Sequence, residues 1–151
     1  MLPNLFPNVC RQRPLGLNLH VLRASTGQGI DAVFATLAQV RPSGLVIGSD
    51  SFFNSRAEQL ATLALRHGVP TIYQFREFAE AGGLMSYGGS ITENLRLVGN
   101  YAGRILKGEK PSDLPVQQST RIELIVNLKT AKALGITVPL TLRGRADEVI
   151  E

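Results

Sequence analysis

Two short stretches concentrate the side chains with most to offer a ligand. Asp50, Phe52, Phe53 and Asn54 stand between Gly48 and Ser55; Tyr73 and Arg76 follow further on, and Tyr87 comes after the glycine pair Gly82-Gly83. A carboxylate, an amide and a guanidinium among aromatic rings suit recognition of a small amphoteric molecule, ion pairing at one end and ring contacts at the other. Catalysis is less well served. No Ser or Cys sits in the GxSxG setting of an activated nucleophile, and Gly48-Ser49-Asp50-Ser51 matches it only superficially. GxxxxGK[ST] does not occur, and Gly27-Gln28-Gly29 lacks the third glycine and the acidic residue of a dinucleotide loop. Gly88-Gly89-Ser90 reads as a turn into a capped helix rather than an anion site. His20 and His67 are isolated and Cys10 is the one cysteine, so no metal cluster, no intramolecular disulfide and no cofactor are expected.

For these side chains to meet, the chain between Leu45 and Phe78 must form strand, loop, helix, strand and loop. Leu45, Val46 and Ile47 are an apolar run too short for a helix and bounded by turn residues, as in a strand buried on both faces of a parallel sheet. Ser55 and Glu58 have capping-box spacing, which predicts a helix from Arg56, with Ala57, Leu60, Ala61 and Ala64 facing the sheet and Gly68 as its left-handed C-cap. Pro70 blocks continuation, and Thr71 to Tyr73 make the next strand. In open α/β sheets, ligands lie beyond the carboxyl ends of the strands, so the two loops are expected to share one cleft. The alternative for Phe52 and Phe53 is that one of them packs beneath its loop; Tyr87, at a strand end, is a rim residue.

Elsewhere, residues 1 to 16 carry three prolines and no period, and read as irregular. Leu17 to Leu22 alternates like a strand, and Ile30, Val33, Phe34, Leu37, Ala38 and Val40 mark a helix that ends at the turn Arg41 to Gly44. Arg76 to Ala81 is a helical turn and Leu84 to Tyr87 a strand. Ser90 with Glu93 opens a helix over Ile91 to Lys107 whose apolar positions are Ile91, Leu95, Val98, Ala102 and Ile105. Arg121 to Val126 returns as a strand, Asn127 caps a helix over Leu128 to Leu134, and a last helical turn is expected at Ala146 to Ile150. Alternating strand and helix give an α/β fold. With 44% hydrophobic and 19% charged residues the composition is that of a globular protein, and the Lys and Arg behind a net charge of +4 are scattered, so no nucleic-acid partner is expected. No signal peptide is read in Met1 to Gly16 and no run is long enough to span a bilayer, which makes the chain, as written, cytoplasmic.

Four blocks in order, LVIGSDSFFNSRAEQLATLALRHGVPTIYQFREF, GGLMSYGGS, YAGRILKGEKPSDLPVQQST and ELIVNLKTAKALGITVP, resemble the ABC transporter substrate-binding protein family of tryptophan/tyrosine-type periplasmic binding proteins. The resemblance runs from about Leu15 to the C-terminus. It implies a Rossmann-like (flavodoxin-like) lobe of a type I periplasmic binding protein, an incomplete parallel sheet flanked by helices. Its function would be to bind an aromatic amino acid or related carboxylate between two hinged lobes, without turnover, and to deliver it to an ABC permease. Gly48 to Asn54 and Tyr73 to Arg76 correspond to ligand loops, Leu84 to Gly88 to the crossing into the first lobe, and Glu123 to Asn127 to the return. The implied organisation is a non-family N-terminus at 1–16, a second-lobe α/β unit at 17–83, a crossover segment belonging to the first lobe at 84–120, and the return strand, helix and tail at 121–151. Gln74, Phe75 and Arg76 stand where some relatives carry an acidic residue, leaving room for an acidic or aromatic-acid ligand.

Family members are longer, with a signal peptide, a first lobe and a first second-lobe strand that have no counterpart here, so the sequence reads as a truncated frame. On that expectation the strands at 17–22 and 45–47 lack the strand between them, and the helix over 91–107 exposes an apolar face suited to self-association. Two other functions remain on the sequence: a ligand-sensing regulatory domain of the same fold, which would carry a helix-turn-helix, and a small α/β enzyme, which would need a nucleophile with a base. Neither feature is seen.

Overall fold

The computed structural model describes residues 16–117 and 121–151. The chain divides into two compact units, the first ending at Val40 and the second running Arg41–Glu151. In the first, helix α1 (Gly27–Val40) starts where the Thr26 hydroxyl accepts the Gly29 N–H at 3.0 Å, and its buried stripe is Ile30, Phe34 and Leu37. Ala38, expected on that stripe, is exposed. The predicted strand at Leu17 to Leu22 does not form: residues 16–24 carry no ladder, and Leu17, Leu19 and Val21 are exposed. Alternation makes a segment capable of being a strand, but inter-strand hydrogen bonds make it one.

The second unit runs β1 (Leu45–Val46), α2 (Ser51–Asn54), α3 (Ala57–Arg66), β2 (Thr71–Tyr73), α4 (Arg76–Glu80), β3 (Met85–Gly88), α5 (Ile91–Leu106), a 3-10 turn at Pro111–Asp113, β4 (Glu123–Asn127), α6 (Leu128–Ala133), α7 (Leu140–Arg143) and β5 (Glu148–Ile150). One five-stranded sheet has the order β1-β2-β3-β4-β5, parallel throughout except between β3 and β4. The exception follows from α5. That helix leaves from the carboxyl end of β3 and the chain re-enters at the same end, Gly88 pairing with Glu123, so β4 runs back. β1 is an edge; Leu45 and Ile47 donate to Pro70 O and Ile72 O, while Val46 is 74% exposed.

The core gathers Leu60, Ala61 and Ala64 of α3, Phe78 and Ala79 of α4, Val69 and Leu84, Ile125 and Val126 of β4 and Ala131 of α6. At ~1.5–3 kcal/mol for each large apolar side chain removed from water, this cluster is the main stabilising term. Chain ends of the helices behave as their glycines require: Gly68, Gly108 and Gly135 take φ of 65°, 101° and 69° just past α3, α5 and α6. α5 is different in its surroundings. Ser90 caps it by accepting the Glu93 N–H, yet none of its residues is buried, and Leu95 and Val98 are 65% and 63% exposed.

Two further expectations are corrected. Ser55 does not open α3; it closes α2, donating to Phe52 O at 2.8 Å, because Asp50 has already captured the capping role for the turn before it. The segment predicted as a helical turn at Ala146 to Ile150 is instead β5, paired with β4 and anchored by Asp147, whose N–H donates to Leu124 O while its Oδ2 accepts the Leu124 N–H. Among the described residues no helix is long and apolar enough to cross a membrane.

Candidate binding face

The carboxyl ends of β1, β2 and β3 enclose a cavity of about 620 Å³. Its walls are Val46 to Ser49, Ile72 to Phe75, Tyr87 to Gly89, Asn94 from the first turn of α5, and Ile122. It exists because each parallel strand ends here in a turn and because β3 comes close against β2. A Cβ placed on Gly88 would stand 2.2 Å from Gln74 O, so only glycine permits this approach.

The candidate ligand residues are distributed differently from the sequence expectation. Tyr87 lines the cavity and is 57% exposed as a residue. Tyr73 also lines it, but its ring belongs to the core: it is 2% exposed and stacks on Phe78 with centroids 4.6 Å apart. Gly83 seals the stack, since a Cβ there would lie 2.6 Å from the Tyr73 ring. Asp50, Phe52, Phe53 and Asn54 do not line the cavity. Asp50 Oδ1 accepts the Phe52 N–H at 2.7 Å as the cap of α2, Phe52 and Phe53 tilt against each other at 5.4 Å, and the Arg56 guanidinium lies 4.2 Å over Phe52.

Arg76 is also placed otherwise. It meets Glu80 at 2.9 Å, Glu148 at 2.7 Å and Glu123 at 3.6 Å, tying α4 to β4 and β5. The Glu80 and then the Glu148 hydrogen bonds hold its protonation above the ordinary range. In this structure it lies outside the cavity lining and is paired with these carboxylates. Ser49, Gln74, Phe75, Asn94 and Ile122 were missed as lining residues; Gln74 and Phe75 lay in the right stretch but carry no charge to single them out. Among the described residues no group of three or more His, Cys, Asp and Glu side chains gathers to hold a metal.

The Tyr73 hydroxyl is buried without a hydrogen-bond partner. Burial pushes the phenol up to about 12 against a smaller, lowering influence of Thr71, whose hydroxyl donates to Val69 O. The unfolded chain therefore releases this proton above pH 10.0 while the folded chain keeps it until about pH 12, so the group's contribution is whole below pH 10.0 and lost across that window. At ~1.36 kcal/mol per pH unit the loss approaches ~2.7 kcal/mol. Tyr73→Phe is expected to be more stable than the parent by ~1 kcal/mol at neutral pH, by removing an unpaired buried hydroxyl. It should also lose less stability between pH 9 and 12 in urea titrations; equal losses in both proteins would show that Tyr73 ionises as freely folded as unfolded.

The ABC transporter substrate-binding protein family model matches residues 13–150. No curated protein matches the chain. Several solved structures are similar, three of them as follows. One, from Streptococcus pneumonia, is described as an ABC domain in complex with L-Trp: TM-score 0.76, 24% identity, 89% of this chain and 46% of that one. A conserved domain protein from Vibrio cholerae O1 biovar El Tor gives a TM-score of 0.74 at 23% identity over 83% of this chain and 42% of that one. A ligand-free, open substrate-binding protein with adhesive properties from Clostridium difficile gives 0.56 at 25% identity over 84% and 42%. The chain spans less than half the length of each of these structures.

Proposed function

Because the chain belongs to the ABC transporter substrate-binding protein family, we propose that the carboxyl end of its sheet is one wall of a solute site, and that the protein binds a small organic solute unchanged for delivery to a membrane permease. The observation that supports this most directly is the open cavity at the ends of β1, β2 and β3, large enough for an amino-acid-sized molecule. Its position is where α/β sheets receive ligands. An aromatic solute is the reading favoured by Tyr87, which lines the cavity and is largely exposed. α2, with Phe52, Phe53 and Asn54, flanks the wall without lining it and is proposed to frame its rim. The chain's four blocks of resemblance to periplasmic binding proteins support a periplasmic site of action.

Thermal unfolding of the chain in the presence of L-tryptophan, L-tyrosine, phenylacetate and benzoate tests this. A ligand of the folded state at about 100 times its Kd stabilises by ~2.7 kcal/mol. At least one of these solutes is expected to raise the midpoint, and Ser49→Trp, which fills the cavity from β1, is expected to abolish the rise. A panel with no effect, or a shift indifferent to the filled cavity, would remove this wall from solute binding.

A further inference from the structure

We propose that this wall recognises the uncharged, flat part of its solute and takes no share in holding the solute's charge. The inference rests on the solute-binding reading above and deepens it. Among the described residues that line the cavity none carries a charge. Charged side chains near this end of the sheet have partners of their own: Arg76 meets Glu80, Glu148 and Glu123, Arg121 meets Glu123 at 3.0 Å, and Asp50 accepts the Phe52 N–H. Another source of field is the N-terminus of α5, whose first turn reaches the cavity through Asn94; Ser90 caps it and Glu93 in that same turn offsets its positive end.

What the wall does present is aromatic and neutral. Tyr87 and Phe75 supply ring surface, and Ser49, Gln74 and Asn94 supply donors and acceptors that suit a ring N–H or hydroxyl. A charge pressed against such a wall loses hydration and gains no ion partner, which is unfavourable. The solute class that fits is therefore an aromatic or heteroaromatic molecule with its ring on this face and its ionic groups, where it has them, turned away.

The test is an NMR titration of the isotope-labelled 151-residue chain with four related probes: indole, tryptamine, indole-3-acetate and L-tryptophan, which carry respectively no charge, a positive charge, a negative charge and both. All four are expected to shift the amides of Ser49, Gln74, Tyr87 and Asn94, with dissociation constants within about threefold of one another and insensitive to salt, since a desolvated ion pair would separate them by about tenfold or more. Tyr87→Ala should weaken indole by about fivefold or more, the loss of one ring contact. Arg76→Gln and Asp50→Asn should leave the order of the probes unchanged. A charged probe binding about tenfold tighter than indole, with the preference lost in either of these two variants, overturns the inference while leaving solute binding in place. Shifts confined to other amides, or none with any probe, overturn the solute-binding reading itself and the inference with it.

Discussion

Gly88→Ala is expected to be the most damaging methyl group that can be added to this chain. A Cβ at this position lies 2.2 Å from Gln74 O, 2.8 Å from Gln74 Cγ and 3.1 Å from Gln74 C, and the first and last of these are backbone atoms that cannot swing aside. Relief requires the end of β2 to part from β3, in the middle of a sheet where both flanking pairs are formed. Overpacking in well-ordered regions typically costs ~1–3 kcal/mol, and a clash against backbone belongs at or above the top of that range. Against a total of ~5–15 kcal/mol for a domain, a loss of ~3 kcal/mol or more is a large fraction. Gly99→Ala is the matched control: it sits in α5 with nothing within 4 Å of its Cβ, and replacing a mid-helix glycine should stabilise by ~0.5–1 kcal/mol. Urea midpoints for the two variants should therefore move in opposite directions. A Gly88→Ala midpoint equal to the parent's would mean that β3 does not approach β2 this closely.

Asn127→Ala is expected to cost ~1–3 kcal/mol, the sum of a lost N-cap and one buried hydrogen bond lost from Ala79 O, which keeps the Gly82 N–H at 3.2 Å. Asn127 ends β4 and begins α6; it is 4% exposed, its Oδ1 accepts the Thr130 N–H at 3.0 Å and its Nδ2 donates to Ala79 O at 3.1 Å. One side chain thus starts a helix and ties it to α4. Substitution by serine separates these duties, since the hydroxyl can still cap α6 but is too short to replace the amide at Ala79. Asn127→Ser should fall between parent and alanine variant in a denaturant titration. If serine were as harmful as alanine, capping would contribute nothing; if alanine cost under ~0.5 kcal/mol, neither bond would matter to stability.

Between Leu45 and Gly108 most elements were legible in the sequence because each carries its own signal: a three-residue apolar run, a 3.6-residue period, a glycine where the backbone turns left-handed; α2, over Ser51–Asn54, was expected as loop. Where two local signals compete, the sequence was ambiguous. Asp50 and Ser55 are both good caps, and only the folded chain shows that Asp50 starts a helical turn which Ser55 then closes, leaving α3 to begin at Arg56 without a side-chain cap. Where the deciding partner is distant, the sequence was silent. Ala146 to Ile150 has the composition of a helical turn, yet the open edge of β4 makes it a strand; Leu17 to Leu22 has the alternation of a strand, yet finds no ladder. The binding face divides in the same way. Its location beyond the strand ends followed from topology, and Tyr87 from its place at the end of β3. The sequence does not show that Arg76 pairs with Glu148, 72 residues away, and a strand as short as Thr71–Tyr73 does not reveal which of its two faces is the core.

The antiparallel pairing of β3 with β4 also restricts motion. The segment carrying α5 departs at Gly88 and returns at Glu123, residues that sit opposite one another in the ladder, so it is moored to the sheet by two adjacent lines. Two adjacent lines of attachment oppose sliding of this segment along the sheet, so the points where it leaves and rejoins are held in fixed register by the same ladder.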